Sequence, residues 1–478
     1  MINNKKQKRY FLDPFGCVKN QVDAENMMAL LNKEGWENAA DAETAELIII
    51  NSCGFIESAK QESINAVLEW RKTYPDKKII LAGCLSQRYA KELAESLTEA
   101  DACMGTDDIS QITELANFVC ANKVCTNKVC TSSFSANPIR EYSAECKQKA
   151  DLPFAERPLL SLPGSAYIKI SEGCSNCCSY CAIPLIRGKL VSRSIPGIID
   201  ECKALLKRGI VELCIIGQDI GAFGTDNKEQ ANFVCATKSE SLLPELLNEI
   251  SKLKGDFWVR LLYIHPDHFP LQILDIMERD KRILPYFDIP FQHASAKILA
   301  AMNRKGKADK YLALLETIRT RLPNAVIRST FLLGFPGETE EDFAALLDFQ
   351  QKANLDWLGC FTFSREEGTA AYPMKRRVPA KTAVTRKQLI EERQTPITEK
   401  NMERFAGLTL DILIEEKIDA AEEEGESFRL GRLYCQAPDI DGATVIVSDE
   451  KNDEKLRAGA FVKCQITARR GFDLEAIF

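Results

Sequence analysis

The chain has 478 residues, 45% of them hydrophobic and 27% charged, which is ordinary globular usage. At roughly 150 residues per domain it has room for about three domains, each able to bury a core without disulfides. Its 62 Lys and Arg against 69 Asp and Glu leave a formal charge of −7, excluding a generally basic protein that coats nucleic acid.

The 18 cysteines are too dilute for a disulfide scaffold. No apolar run follows the basic start MINNKKQKRYFLDPFG, and no stretch of some 18 or more apolar residues occurs. The expectation is a cytoplasmic chain whose cysteines serve metal or redox chemistry.

Residues 8–119 alternate short apolar runs (Tyr10–Leu12, Leu47–Ile50, Ile79–Ala82) with amphipathic stretches such as Ala24–Glu34 and Glu57–Lys72. Unbroken apolar strands between helices predict a doubly wound parallel α/β domain, with ligands beyond the carboxyl ends of its strands. Cys17, Cys53 and Cys84 fall at or just past those ends, each beside a glycine that lets the backbone turn tightly. Residues 120–159 are polar, carry the near-repeat NKVCTNKVC and read as a linker holding Cys120, Cys125, Cys130 and Cys146.

Residues 160–398 resume the alternation six times. The expected strands are Tyr167–Ser171, Glu212–Gly217, Trp258–Ile264, Phe287–Phe291, Val326–Leu333 and Leu358–Ser364. Six βα units predict a partial or complete parallel barrel with its functional groups on the loops after the strands. Asp226–Ser239 reads as an exposed insertion, and a long charged helix spans roughly Lys381–Phe405. Residues 403–478 hold five short strand patterns between Gly, Pro and Asp turns, which predict a small all-β barrel.

The strongest chemical signal is EGCSNCCSYC. A zinc reading would pair Cys174 with Cys177 and Cys178 with Cys181, but structural zinc sites separate their ligand pairs by a dozen or more residues. The other reading takes Cys174, Cys178 and Cys181, whose three thiolates can hold three irons of a cubane and leave the fourth iron open. Cys177 is then not a ligand.

A C-x3-C-x2-C loop after the first strand of a βα barrel resembles the radical S-adenosylmethionine superfamily. FGCVKNQVDAE, NSCGFIESA, GCLSQRY and EGCSNCCSYCAIP together resemble its methylthiotransferase family, over nearly the whole chain. The resemblance implies a central (βα)6 partial TIM-like barrel and a closing OB-like TRAM barrel. It implies two 4Fe–4S clusters, one on Cys174, Cys178 and Cys181 and an auxiliary one on Cys17, Cys53 and Cys84. One cluster would cleave S-adenosylmethionine to a 5′-deoxyadenosyl radical, and the auxiliary one would hold the sulfur to be transferred. It also implies an electron donor such as flavodoxin or ferredoxin.

Weaker candidates lie at other strand ends. Gly217 and Gln218, before Asp219, and Gly334 in GFPGE stand where a cofactor backbone contact is possible, although GFPGE is equally a turn and helix start. Gln292 and His293 either line that face or are structural, and His265 and His268 read as structural or loop residues. Arg187, Lys189 and Arg193 could meet carboxylate or phosphate, or form a solvated basic turn.

The family's main substrates are an aspartate of the twelfth small-subunit ribosomal protein and a transfer-RNA adenosine. From Asp411 to Phe478 there are 16 Asp and Glu against 9 Lys and Arg, an excess that suits a basic protein rather than a phosphate backbone. GRLYCQAPDIDG resembles the ribosomal-protein branch, and Asp439 and Asp441 on its turn are the candidate partner contacts. The expectation is therefore protein modification, with no stable nucleic-acid partner and transfer RNA as the alternative. An iron–sulfur electron carrier, the non-enzyme alternative, would not need the barrel.

Overall fold

The computed structural model describes residues 8–121, 129–130, 152, 154–226, 240–418, 426–452 and 454–478. Cys125, Cys146, most of the Asp226–Ser239 insertion and the Glu422–Glu424 run lie outside them.

The first sheet comprises β1 (Arg9–Pro14), β2 (Glu37–Asn38), β3 (Leu47–Ser52), β4 (Lys78–Gly83), β5 (Ala102–Met104) and β6 (Val129–Cys130). All its pairings are parallel, in the order β2-β1-β3-β4-β5-β6. Both faces of LIIINS in β3 are buried, as an unbroken apolar run requires. Helices Val18–Lys33 and Ile112–Ala121 cover one face, and Glu57–Thr73 and Ala90–Ser96 the other. Three segments of the supposed linker prove to be structural, the first being Cys120, which lies in the helix Ile112–Ala121 and packs against the core. Val129 and Cys130 extend the sheet, and fully buried Arg157 ties the first domain to the second by pairing with Glu25 at 2.7 Å and Glu201 at 2.5 Å.

The second sheet starts with β7 (Ser165–Lys169), after which β8 (Ser171–Glu172) and β9 (Val191–Ser192) form a small side ribbon. It continues through β10 (Glu212–Ile216), β11 (Trp258–Leu261), β12 (Ile283–Asp288), β13 (Val326–Leu333) and β14 (Trp357–Thr362). The order β7-β10-β11-β12-β13-β14 is parallel throughout and open between β7 and β14, which makes it a partial barrel. β12 starts four residues before the expected Phe287. Pro285 has no N–H for the ladder, and the register with β11 jumps there, from Val259↔Ile283 to Leu261↔Phe287.

The third unit comprises β15 (Thr409–Ile418), β16 (Glu426–Arg432), β17 (Thr444–Asp449), β18 (Phe461–Arg470) and β19 (Asp473–Ile477), a closed five-stranded barrel. It packs against the amino ends of the second sheet's strands, opposite the loops that follow them. Glu212, first in β10, accepts from Arg260 Nε at 2.8 Å and Arg432 Nη2 at 2.7 Å, while Trp357, first in β14, donates to the Cys435 carbonyl. One apolar cluster runs from Tyr167, Ile216 and Tyr286 into Leu433, Cys435 and Ala437. No helix among the described residues is long and apolar enough to cross a membrane.

This packing changes the reading of the Ala437–Asp441 turn. The Asp441 side chain is 2% exposed, accepts from Tyr286 Oη at 2.6 Å and lies 3.7 Å from Arg328. Burial pushes its carboxyl up to about 6. Asp441 is thus an interdomain contact rather than an outward-facing acid. Asp439, at φ +61°, is exposed and accepts a 3.4 Å bond from Tyr167 Oη.

Candidate active site between two cysteine trios

In the first domain, the chain turns sharply after each of three adjacent strands and presents a cysteine. Cys17 stands just before the helix Val18–Lys33, Cys53 follows β3, and Cys84 opens the helix Cys84–Arg88. Gly83 takes φ +102°, and a Cβ there would sit 2.5 Å from the Ser52 carbonyl. A Cβ on Gly16 would meet Cys53 Cβ at 3.2 Å, and one on Gly54 would meet the Cys84 carbonyl at 2.6 Å. The three loops are therefore in contact and need their glycines.

Asn20 knits these loops together, donating to the Ser52 carbonyl at 2.9 Å and, more weakly, to that of Phe15 at 3.4 Å. Its Oδ1 lies 3.2 Å from Cys84 Sγ. Burial pushes the Cys84 thiol up to about 11, against the pull of Arg187. That arginine reaches in from the barrel, donating to Cys84 Sγ at 3.2 Å and Asn20 Oδ1 at 2.5 Å.

The second trio stands on the loop after β7. Gly173, at φ +68°, packs against the backbone of Arg187, Gly188 and Lys189, and Cys174 N–H donates to the Gly188 carbonyl at 3.0 Å. Burial pushes Cys174 and Cys181 up to about 12 and raises Cys178, where Arg304 opposes it. Cys177, the fourth cysteine of the run, is exposed.

Both trios suit a cluster better than a single ion. All six thiols are unbridged, and within each trio the cysteines feel one another's charge. Yet among the described residues only Asp219, His265 and His268 bring three donor atoms within 4.8 Å of one another. Three convergent but spread thiols match the wider span of a multi-iron cluster. Cys53, Cys84, Cys174, Cys178 and Cys181, whose thiols burial pushes up, also bind as thiolates only when a metal takes the proton's place, while Cys17 is exposed.

Asp219 is the node that sequence reasoning missed. It accepts from Asn176 of the cysteine loop at 2.9 Å, from the Gly221 and His265 N–H groups at 3.0 and 3.1 Å, and meets His268 Nδ1 at 2.7 Å. Burial drives His265 down to about 3, while the bond to Asp219 raises His268. The two histidines read as loop residues thus anchor an acid beneath the cysteine loop. Together with Cys174, Cys178 and Lys305 they line a chamber of ≈ 1270 Å³.

The weaker candidates divide. Gly217 is buried, with Ser171 Oγ 2.9 Å from where its Cβ would be, and Gln218 is half-buried beside it. Gly334, at φ +77°, packs against Ala383, which would lie 2.5 Å from an added Cβ, so its missing side chain makes room for a helix. Glu338 closes that turn by accepting from Gly334 N–H at 2.7 Å and Arg386 at 2.6 Å. His293 is fully buried and its Nδ1 accepts from the Ala294 and Ser295 N–H groups, a turn-capping role. Arg187 and Arg193 meet carboxylates of this chain (Asp23 and Glu172, and Glu201, respectively) and do not form a solvated turn.

Comparison with known proteins agrees with this architecture. Residues 9–105 match the uncharacterized protein family UPF0004, residues 168–349 the radical SAM superfamily and residues 406–478 the TRAM domain. The radical S-adenosylmethionine methyltransferase TsrM from Kitasatospora setae shares the fold, with a TM-score of 0.53 at 14% identity over 87% of this chain and 79% of that one. These matches define a radical S-adenosylmethionine enzyme, which uses S-adenosylmethionine and a 4Fe–4S cluster.

The ribosomal protein uS12 methylthiotransferase RimO of Treponema denticola is 45% identical over 98% of this chain and 100% of its own. RimO of Syntrophomonas wolfei is 40% identical over 96% and 97%. The chain belongs to the RimO-type family of radical S-adenosylmethionine methylthiotransferases.

Proposed function

We propose that this enzyme replaces a C–H bond by C–SCH3 at the β-carbon of an aspartate in the twelfth small-subunit ribosomal protein, uS12. The observation that carries this reading is the end-to-end similarity to relatives named as uS12 methylthiotransferases. The acidity of the last module supports it. From Asp411 to Phe478 the sequence holds 16 acidic against 9 basic residues, a composition that suits a basic protein partner.

Cys174, Cys178 and Cys181 would hold the cluster that binds S-adenosylmethionine, and Cys17, Cys53 and Cys84 an auxiliary one. When bound, these groups supply a radical able to take hydrogen from an unactivated carbon and a carrier for the methylthio sulfur. Asp219 holds the Cys174–Cys181 loop through Asn176, Asn20 holds the loops of Cys17, Cys53 and Cys84 together, and Arg187 joins the two domains beside Cys84. Gly217 and Gln218 stand on the same face of the barrel as Cys174, Cys178 and Cys181 and are the candidate cofactor contacts. A flavodoxin or ferredoxin in the cytoplasm would supply electrons.

Reconstituted enzyme incubated anaerobically with S-adenosylmethionine, reductant and uS12 tests this reading. The expected product is uS12 heavier by one methylthio group on one aspartate. A modified adenosine in transfer RNA with uS12 untouched would overturn it.

A further inference from the structure

The two trios are separated by a belt of buried charges, and nearly every cation in it has a carboxylate. Lys169 meets Asp23 and, at 2.7 Å, Glu172. Arg187 meets the same two acids at 2.9 and 2.8 Å, and Arg328 meets Asp288 at 2.9 Å. Lys19 is the exception. It lies in the first turn of the helix Val18–Lys33, two residues past Cys17, and is only 5% exposed. Its ammonium stands 3.0 Å from the centre of the Tyr263 ring, and among the described residues no carboxylate pairs with it.

Tyr263 belongs to the other domain. It follows β11 at the barrel's functional face and is held at φ +69°, with its N–H on Asp288 and its carbonyl accepting from Ile220. A non-glycine residue in that conformation is strained and persists where its surroundings dictate it. Here the strain places an aromatic face under a lysine from the cysteine-bearing sheet. A desolvated ammonium gains something from a ring face, but less than from a carboxylate.

The chemistry of the substrate supplies the missing partner. In an aspartate the β-carbon is bonded directly to the carboxyl carbon. A β-carbon that must come within reach of both trios therefore brings its carboxylate into the same buried space, where an anion needs a cation. Arg304, another buried cation that no carboxylate pairs with among the described residues, bonds Tyr180 and the Pro290 carbonyl beside Cys178, on the barrel trio's side. Among the described residues, Lys19 is the buried cation that reaches from the Cys17 loop to the barrel mouth.

We propose that Lys19 receives the carboxylate of the substrate aspartate, with the Tyr263 ring holding the ammonium in position before the substrate arrives. This rests on uS12 being the substrate and assigns the residue that selects an acid at the modified position. Lys19 is a specificity-determining residue in this scheme.

The test uses full-length, cluster-reconstituted protein and two forms of isolated uS12, one with the modified aspartate and one with asparagine there. Binding is followed by fluorescence anisotropy and iron is counted per chain. The wild type should prefer the aspartate form by about a hundredfold, the range for a desolvated charge pair. Lys19→Met should bind both forms equally weakly with its iron intact, and Lys19→Arg should recover part of the preference. A Lys19→Met protein that keeps the preference overturns the proposal. So does one that loses half its iron while Lys19→Arg restores it, since Lys19 would then be a counter-charge for the Cys17 cluster. If the wild type binds neither form and takes transfer RNA instead, the uS12 reading itself has failed.

Discussion

The guanidinium of Arg187, from the barrel, donates a hydrogen bond at 3.2 Å to the sulfur of Cys84, 103 residues away on the first sheet. The same side chain pairs with Asp23 of the first domain and Glu172 of the second. One residue thus serves both as a domain fastener and as a donor to a proposed cluster ligand, and hydrogen bonds to cluster sulfurs tune reduction potential. Arg187→Met should lower the midpoint potential of the auxiliary cluster in an EPR redox titration, because the reduced state loses a stabilising donor. It should also destabilise the protein by about 3–5 kcal/mol in denaturant, the cost of unpairing buried charges. An unchanged potential would leave Arg187 a fastener only.

The cysteine trios are separable by iron counting. Two cubanes give about eight irons per chain. Changing Cys174, Cys178 and Cys181 together to Ala should halve the iron and abolish 5′-deoxyadenosine. Changing Cys17, Cys53 and Cys84 should halve the iron and stop methylthio transfer, yet leave cleavage of S-adenosylmethionine in place. Iron that stays near eight in either variant would disprove that ligand set.

Asp219 holds Asn176, and with it the cysteine loop, in register with His265 and His268. Losing such an outer partner typically weakens a metal site 10–100-fold. Asp219→Ala should release iron from Cys174, Cys178 and Cys181 at correspondingly lower chelator concentration, whereas iron on the N-terminal trio should be unaffected. His268→Gln, which can retain a hydrogen bond to Asp219, should show a smaller effect.

Glu212 gives the joint between barrel and last module a defined pH response. Arg432 and Arg260 hold its buried carboxyl down to about 2, against a burial effect that acts the other way. A depressed folded-state pKa contributes stability above the unfolded value near 4.5, lost as pH falls toward 2. Apo-protein unfolding should therefore steepen over that window. Glu212→Gln should remove this slope and, at pH 7, cost about 3–5 kcal/mol because two arginines lose a shared partner.

The acidic module should make uS12 binding weaken with salt, since exposed charges are screened over about 10 Å at 0.1 M. Asp439→Lys should lower the association rate, as expected for an exposed charge at a contact rim. Asp441→Lys should instead disrupt the joint and lower thermal stability, because its carboxyl is enclosed by Tyr286 and Arg328. Equal effects of the two variants on association alone would contradict this division.

The sequence by itself was enough to order the three units and to single out the six cysteines. Runs such as Leu47–Ile50 state their burial on both faces directly, and Gly-Cys pairs at their ends mark sharp turns where thiols converge. Short-range periodicity and backbone freedom are local properties, so they can be read locally. Which side chains meet across the fold is not local. Asp219 finds His268 across 49 residues, and Asp441 finds Tyr286 across 155. Lys19 meets a tyrosine held at positive φ in another domain. A lysine or aspartate carries no mark of its distant partner, and an acidic turn looks the same in solvent as against a barrel. Packing alone decided that Asp441 is enclosed, that Arg187 reaches a cysteine, and that among the described residues no carboxylate pairs with one buried ammonium between the trios.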